Sequence, residues 1–347
     1  TSPAKADVRT YALNARAITL LERLRVWPAL KAFSSPVFEM KICGDGGGAL
    51  SFSAWQQQVT ELAWIVDAAA LERLLGEALR FAPRVEIVPP LQGAQAPVKA
   101  ALLAICEGKH SGTRADLGVE FARQDYGHWG VATRLKAERP HNGVARQWFR
   151  SPDILALLPF NQPDPDASYG LVWSVPKERA EHLLSLNTAD FELELNDAVL
   201  QSAPEAAEQI GHLSVASEVA GWPLALAQAD RWMGPGWVLL GDAAHQVHPL
   251  AGQGLNLGLA DVDTLVTVLR EARQREPWRT LGDERTLRRY ARRRETPTRA
   301  MAGLTDGLLH LFADQRGPLK DLRNAGMTLV ERLGPVKHWL VGRALDA

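Results

Sequence analysis

The sequence predicts an α/β protein with an additional sheet-rich domain, and three observations support this. Residues 237–240, WVLL, are continuously apolar, which indicates a short buried strand. After a glycine-rich turn, apolar residues recur at spacings of four and three, as in an amphipathic helix: Leu255, Leu259, Val262, Val266 and Leu269. Alternating apolar positions between residues 124 and 175 predict an antiparallel sheet with one covered face.

Length and composition limit the classes of protein to consider. A chain of 347 residues can bury a large core and suggests two domains. Its net charge of −1 gives no field that would favour nucleic acid. Cys43 and Cys106 lie far apart and form no metal-binding pattern, which indicates buried free thiols in a reducing cytosol. The absence of a secretory signal and of a spanning apolar run predicts a cytoplasmic protein without a transmembrane segment.

Local patterns predict the remaining elements. A helix is expected at 15–24, with Ile18, Leu21 and Leu24 on one face, and Trp27-Pro28 should end it. The glycines at 44–48 predict a hairpin turn, and Asp67 should cap the following helix. The other expected elements are strands at 85–88 and 101–106, helices at 68–80, 178–185 and 205–211, and helices in the last 50 residues, including 304–312 and 327–333.

The most informative segment is GDAAHQVHPLAGQGLNLGLAD, which spans residues 241–261. The strand before it ends at Gly241-Asp242, so a carboxylate lies at the carboxyl end of a strand, where open α/β sheets bind ligands. The glycines let a flat ligand approach the backbone, and the N–H groups at the helix start provide partial positive charge. The segment therefore predicts a ligand site.

Two alternatives to this ligand site exist. A strand, a Gly-Asp pair and a helix could also form an ordinary α/β turn. Asp242, His245 and His248 are spaced by three, as metal ligands on one helical face can be. Pro249 and the glycine turn interrupt such a helix, so we expect no metal site. We expect His245 to have a structural role.

The segment resembles the second flavin-binding motif of the aromatic-ring flavoprotein monooxygenases, and HPLAGQGLNLGLAD is most similar to the ubiquinone-biosynthesis hydroxylases. The resemblance implies a p-hydroxybenzoate-hydroxylase-like fold with a Rossmann-like FAD-binding domain. That domain would contain residues 1–36, 65–114 and 234–299. A substrate-binding sheet domain would contain residues 37–64 and 115–233, and C-terminal helices would occupy 300–347.

The resemblance also implies roles for individual residues of this segment. Asp242, after Gly241, would bind the ribityl chain of FAD. Pro249 would lie beside the reactive edge of the flavin ring and position it. The N–H groups of Gly252, Gln253 and Gly254 would face the flavin pyrimidine. Asn256 would be a further cofactor-binding residue.

A second motif, EGKHSGTR at residues 107–114, resembles the family motif D-G-x-x-S-x-x-R near the FAD pyrophosphate and the NADPH path. It implies that Glu107, Gly108 and Arg114 bind the cofactor, although Glu107 replaces the family's Asp. An ordinary polar turn is the alternative. Arg9 matches an Arg that contacts the cofactor, whereas Ala68 to Ala70 stand where the family usually carries another Arg.

The resemblance implies hydroxylation of a polyprenylated phenol in ubiquinone biosynthesis, with FAD as cofactor and NAD(P)H and O₂ as co-substrates. Two other hypotheses are a flavin monooxygenase of another aromatic compound and a non-catalytic paralogue that acts as a binding or assembly subunit. The family's leading strand-helix-strand unit, which binds the ADP half of FAD, has no counterpart in these residues. We therefore expect this chain to bind FAD weakly or not at all.

The segment from Arg285 to Arg299 is strongly basic, and a solvated helix face is the usual meaning of such a run. The alternative is a docking surface. It would bind other ubiquinone-biosynthesis proteins or lipid headgroups, which would place the protein peripherally at the inner membrane.

Overall fold

The computed structural model describes residues 7–45, 47–88, 100–247 and 253–313. Its strands are β1 Thr10–Leu13, β2 Ser34–Val37, β3 Glu39–Cys43, β4 Ala49–Ser53, β5 Ala63–Asp67, β6 Leu103–Ile105, β7 Phe121–Ala137, β8 Val144–Arg150, β9 Asp153–Phe160, β10 Ser168–Pro176, β11 Leu213–Val215, β12 Ala220–Ala229, β13 Met233–Gly234, β14 Trp237–Leu239 and β15 His245–Gln246. Its α-helices are α1 Ala15–Arg23, α2 Trp27–Leu30, α3 Ala54–Gln57, α4 Ala68–Arg80, α5 Gly112–Asp116, α6 Lys177–Ser185, α7 Thr188–Ser202, α8 Pro204–Ile210, α9 Gln253–Arg275 and α10 Glu284–Ala313.

The chain divides into two compact units. Among the described residues, the first unit contains 7–79 and 127–224 with the end of α10, and the second contains the stretches between 80 and 126 and between 225 and 307. In the first unit a sheet has the order β4-β3-β8-β9-β10-β7, with β11 beside β7. Its pairs are antiparallel except for the parallel pair β3–β8. The predicted antiparallel sheet is therefore confirmed.

One face of this sheet packs against α6 and α7 through fully buried aromatic and aliphatic side chains. Trp173 of β10 meets Phe191 of α7 edge to face, with ring centroids 6.4 Å apart. Asn187 caps α7, because its side-chain oxygen accepts a hydrogen bond from the Asp190 N–H. Helix α7 is not among the elements predicted from the sequence, although this capping residue marks its start.

A smaller sheet of order β1-β5-β2 completes the first unit. Asp67 ends β5, and its Oδ1 accepts a hydrogen bond from the Ala70 N–H at 3.1 Å, which confirms the predicted cap of α4. The same carboxylate pairs with Arg134 of β7 at 2.9 Å. One residue therefore starts a helix and ties it to the larger sheet.

The second unit contains a sheet of order β13-β14-β6. Strand β14 runs parallel to β6, and the Leu240 N–H extends the ladder by donating to the Ile105 carbonyl. Helices α9 and α10 pack on this sheet through Leu265 and Leu287. The predicted strand before Gly241 and the predicted helix after the glycine turn are both confirmed.

Several local predictions are wrong. Residues 85–88 form no strand and are exposed, because a β-rich composition forms a strand only where a partner pairs with it. Helix α1 ends at Arg23, and Leu24 is half exposed. Trp27-Pro28 begins α2 instead, since proline is tolerated in the first turn of a helix. Residues 327–333 lie outside the described residues, whereas 304–312 belong to α10.

The buried face of α9 also differs from the predicted stripe. The five predicted leucines and valines are only half buried. The fully buried positions include three polar residues that hydrophobic periodicity does not select, namely Asn256, Asp261 and Thr264. In the part of the chain that the structure describes, no helix is long and apolar enough to cross a bilayer.

Candidate functional site

The candidate site begins where β14 ends. Gly241 has a φ of +58°, in the left-handed region that favours glycine, and it starts a tight turn over Gly241–Ala243. A Cβ added to Gly241 would lie 3.8 Å from the Cα of Gly258 in α9. The turn therefore packs backbone against backbone on α9, and the side chain of Asp242 is exposed.

The side chain of Asp261 in α9 accepts hydrogen bonds from this turn and from His245. Its Oδ2 accepts hydrogen bonds from the Gly241 N–H at 2.9 Å and from His245 Nε2 at 2.7 Å. Its Oδ1 accepts from Arg294 Nε of α10 at 2.6 Å. Burial by itself raises the pKa of this carboxyl, but the hydrogen bond from His245 and the charge of Arg294 outweigh it and hold the pKa below its ordinary value. Asp261 thus stays ionised while fully buried.

His245 is surrounded by structural contacts. Its ring stacks on Trp232 with centroids 4.9 Å apart and an interplanar angle of 23°. Both side chains are buried, and Nε2 faces Asp261. Within the described ranges, no group of three His, Cys, Asp or Glu side chains is arranged to hold a metal ion. His248 lies outside those ranges.

The basic run is not a single solvated face, which corrects the sequence-based interpretation. Arg294 is 4% exposed and bonded to Asp261. Arg289 pairs with Glu276, and Arg293 pairs with Glu271, both at 2.8 Å. In a run of charges a buried arginine has the same pattern as its exposed neighbours, so the sequence does not distinguish them.

The second predicted motif forms a compact turn ahead of α5. The Glu107 carboxylate accepts hydrogen bonds from Ser111 Oγ at 2.7 Å, Thr113 Oγ1 at 2.6 Å and the Thr113 N–H at 3.0 Å. The hydrogen bonds from Thr113 and Ser111 hold the pKa of Glu107 below its ordinary value. Gly108 has a φ of +75°, so the turn depends on glycine there.

Arg114 joins this turn to the one after β14. Its Nη1 donates to the Ala243 carbonyl and its Nη2 to the Lys109 carbonyl, each at 3.0 Å. The guanidinium also lies over the Phe121 ring, 3.7 Å from the centroid. The structure therefore brings the two sequence-distant motifs together, with a buried arginine between them.

The remaining predicted site residues lie in the first unit, at the start of α9 or outside the described residues. Arg9 belongs to the first unit, where its Nη2 pairs with Asp7 at 2.7 Å and its side chain is 48% exposed. Pro249 and Gly252 lie outside the described residues. Gln253 and Gly254 begin α9, and Asn256 is buried in its first turns.

The start of α9 has the properties of a site for a polar, electron-rich ring. The first N–H groups of any helix have no partner within the helix. Among the described residues, a Cβ added to Gly254 would meet nothing within 4 Å, so these residues leave space beside the start of α9. With the exposed Asp242 carboxylate as an acceptor, the site offers donors for a ring and an acceptor for a hydroxylated chain, which fits a flavin.

The residues from 81 to 303 match the FAD binding domain family, and the chain belongs to this family. The chain is a flavin-dependent monooxygenase with FAD as its cofactor, which confirms the predicted class.

Two curated relatives cover nearly the whole chain. It is 28% identical to the 3-demethoxyubiquinol 3-hydroxylase of Escherichia coli (strain K12), covering 98% of this chain and 87% of that protein. It is 27% identical to the ubiquinone hydroxylase UbiL of Rhodospirillum rubrum, covering 98% and 80% respectively. Among solved structures, PqsL, a probable FAD-dependent monooxygenase from Pseudomonas aeruginosa, superposes with a TM-score of 0.72 at 20% identity, covering 93% of this chain and 90% of that one. The predicted p-hydroxybenzoate-hydroxylase-like fold is confirmed.

Proposed function

We propose that this chain hydroxylates a prenylated phenol in ubiquinone biosynthesis, with FAD as cofactor and NAD(P)H and O₂ as co-substrates. The named activities of the E. coli and R. rubrum relatives support this substrate class. The observation that carries the proposal is the exposed Asp242 carboxylate at the end of a parallel strand, on a turn packed against α9.

We assign the flavin-binding roles to the residues around this turn. Asp242 would accept a hydrogen bond from a ribityl hydroxyl, and the backbone N–H groups of Gln253, Gly254 and Asn256 would face the flavin ring. Pro249 and Gly252 keep their predicted roles. The partial positive charge of the α9 N-terminus would stabilise the negative charge of a reduced flavin.

Glu107, Gly108 and Arg114 would contribute by positioning the backbone of the two motif turns. Glu107 already accepts three hydrogen bonds from its own turn, so we assign it and Gly108 to shaping that turn. Arg114 would hold the Ala243 carbonyl and thereby orient Asp242. Arg9 remains a predicted cofactor contact.

When bound, reduced FAD together with O₂ supplies the oxygen atom that is added to the phenol ring. The contribution of the chain is to bind and orient the two partners and to exclude water from the reacting centre.

FAD affinity of the Asp242→Ala variant, titrated by flavin fluorescence, tests the site. Losing one acceptor costs about 1–3 kcal/mol, which corresponds to roughly 5- to 150-fold weaker binding. Asp230→Ala is the matched control, because Asp230 is a surface carboxylate of the same unit that pairs with Arg231. Equal affinities for the two variants would contradict the assignment.

Product analysis by mass spectrometry tests the substrate class. A short-chain prenylated phenol, supplied with NADH or NADPH, should gain one oxygen atom. Hydroxylation of simple aromatic acids but not of the prenylated phenol would favour a monooxygenase of another aromatic compound. FAD binding without hydroxylation of either substrate would favour a binding subunit.

A further inference from the structure

Charge is distributed very unevenly along this chain, although its net charge is only −1. Residues 177–208, which include α6, α7 and α8, contain eight Asp and Glu residues against two Lys and Arg. Residues 270–299, which include the end of α9 and the first half of α10, contain eleven Arg against five Asp and Glu. The two segments therefore carry formal charges of −6 and +6, and they belong to different units of the chain.

The acidic segment forms the outside of the helical layer in the first unit. Helices α6, α7 and α8 pack on one face of the large sheet, so their charged side chains lie in solvent. Leu193 and Leu200 are on the same side of α7 as Asp197, and they are 63% and 52% exposed. Four exposed carboxylates that form no ion pair with another described residue define the acidic surface: Glu178, Asp197, Glu205 and Glu208.

The basic segment lies on α9, on α10 and on the connection between them. The ion pairs Arg289–Glu276 and Arg293–Glu271 hold these two helices side by side. Trp278, in the connection, is 74% exposed. Four exposed arginines that have no ion-pair partner within the described ranges define the basic surface: Arg273, Arg275, Arg285 and Arg292.

We infer that the acidic surface of one copy of this chain binds the basic surface of another copy. Each copy carries both surfaces, with formal charges that are equal in size and opposite in sign, so the surfaces are complementary. Exposed ion pairs contribute little free energy but select the partner and its orientation. Burial of Leu193, Leu200 and Trp278 would supply the apolar contribution to binding. No cofactor-binding residue belongs to either surface, so the inference does not depend on the proposed function.

The molar mass of the full chain at two salt concentrations tests the inference. Light scattering after size-exclusion chromatography should give at least twice 38.0 kDa at about 0.1 M salt and the monomer mass at about 1 M salt. The physical reason is that the Debye length falls from about 10 Å to about 3 Å between these concentrations. A monomer in both solutions, or an oligomer that salt does not weaken, would overturn the inference.

Charge reversal locates the contact. Asp197→Lys combined with Glu205→Lys reverses charge on the acidic surface, and Arg285→Glu combined with Arg292→Glu reverses charge on the basic surface. Each double variant alone should associate at least about 10-fold more weakly than the wild type in sedimentation equilibrium. An equal mixture of the two double variants should associate again, because their intact surfaces are complementary and so are their reversed surfaces.

Glu22→Lys combined with Glu72→Lys is the matched control. It changes the charge of the first unit by the same amount, but its exposed carboxylates lie on α1 and α4, outside the acidic surface. We expect it to associate like the wild type. The inference fails if this control loses association as the Asp197 and Glu205 variant does. It also fails if the mixed variants stay monomeric although both unfold at the wild-type temperature.

Two exposed tryptophans test the apolar part of the contact. Trp278→Ala should weaken association about 10-fold or more, because buried tryptophans are among the largest contributors to interfaces. Trp55→Ala is the control, since Trp55 is 89% exposed on α3 and belongs to neither surface. The same dissociation constant for the two variants would show that Trp278 is not in the contact and would overturn the inference.

Vesicles of phosphatidylglycerol distinguish self-association from lipid binding. The basic surface binds anionic lipid, and the inference is wrong, if the wild type is monomeric at about 0.1 M salt and sediments with these vesicles. In that case Arg285→Glu combined with Arg292→Glu should no longer sediment with them.

Discussion

Arg294 Nε donates a hydrogen bond to Asp261 Oδ1 across 2.6 Å, and the two side chains are 4% and 0% exposed. The residues are 33 positions apart and connect α10 to α9. The other oxygen of Asp261 holds the Gly241 N–H and His245. An arginine from the basic run is therefore linked to the turn Gly241–Ala243 through a single carboxylate.

Replacing Asp261 should strongly destabilise the fold. Asp261→Ala leaves the Arg294 guanidinium buried without its counter-ion, and breaking such a pair costs about 3–5 kcal/mol. Urea denaturation measures this change in the free energy of unfolding. Glu271→Ala is the control, because it breaks the neighbouring Arg293–Glu271 pair, which is exposed to solvent and should matter little. Similar losses for the two variants would contradict a dominant role of the buried pair.

The same carboxylate should make stability depend on acid pH. Because its pKa in the folded chain lies below the ordinary value of 3.8, Asp261 contributes stability that is present above that value and is lost as the pH falls through the folded pKa. Asp261→Asn cannot titrate. The difference in unfolding free energy between wild type and Asp261→Asn should therefore narrow below about pH 4. A difference that is independent of pH would show that Asp261 does not titrate in this window.

Arg114→Lys should weaken the junction between the two motif turns. A lysine cannot bridge the Ala243 and Lys109 carbonyls while lying flat on Phe121, because it lacks the planar guanidinium. We expect a loss of about 1–3 kcal/mol in urea denaturation, together with weaker FAD binding. Arg231→Lys serves as control, since Arg231 is half exposed. If both variants have the same free energy of unfolding as the wild type, Arg114 does not stabilise the contact between the two motif turns.

Gly241→Ala should destabilise the turn through its backbone. A non-glycine residue at a φ of +58° costs roughly 1–2 kcal/mol, whereas nearby atoms leave room for a Cβ. Gly241→Asn should cost less, because asparagine tolerates this conformation better. Gly76→Ala, in the interior of α4, should instead stabilise by about 0.5–1 kcal/mol. The midpoint temperature of thermal unfolding checks the prediction. It should be lowest for Gly241→Ala, higher for Gly241→Asn and highest for Gly76→Ala.

Short-range patterns were sufficient for much of the fold. The strand before Gly241, the helix after the glycine turn and the Asp67 cap depend on neighbouring residues, so the sequence predicts them directly. The strand expected at residues 85–88 failed because pairing depends on a partner strand that composition does not reveal.

The amino-acid sequence by itself determined the class of protein and the positions of the two motifs, because each motif consists of contiguous residues. It also led to the prediction that Asp242 is a ligand-binding carboxylate. Only the tertiary structure decided that Asp261 is the buried acceptor beneath the turn, that Arg294 neutralises it and that Arg114 joins the motifs. Those three roles depend on burial and on contacts between residues far apart in the chain, and a one-dimensional pattern of charge and hydrophobicity contains neither.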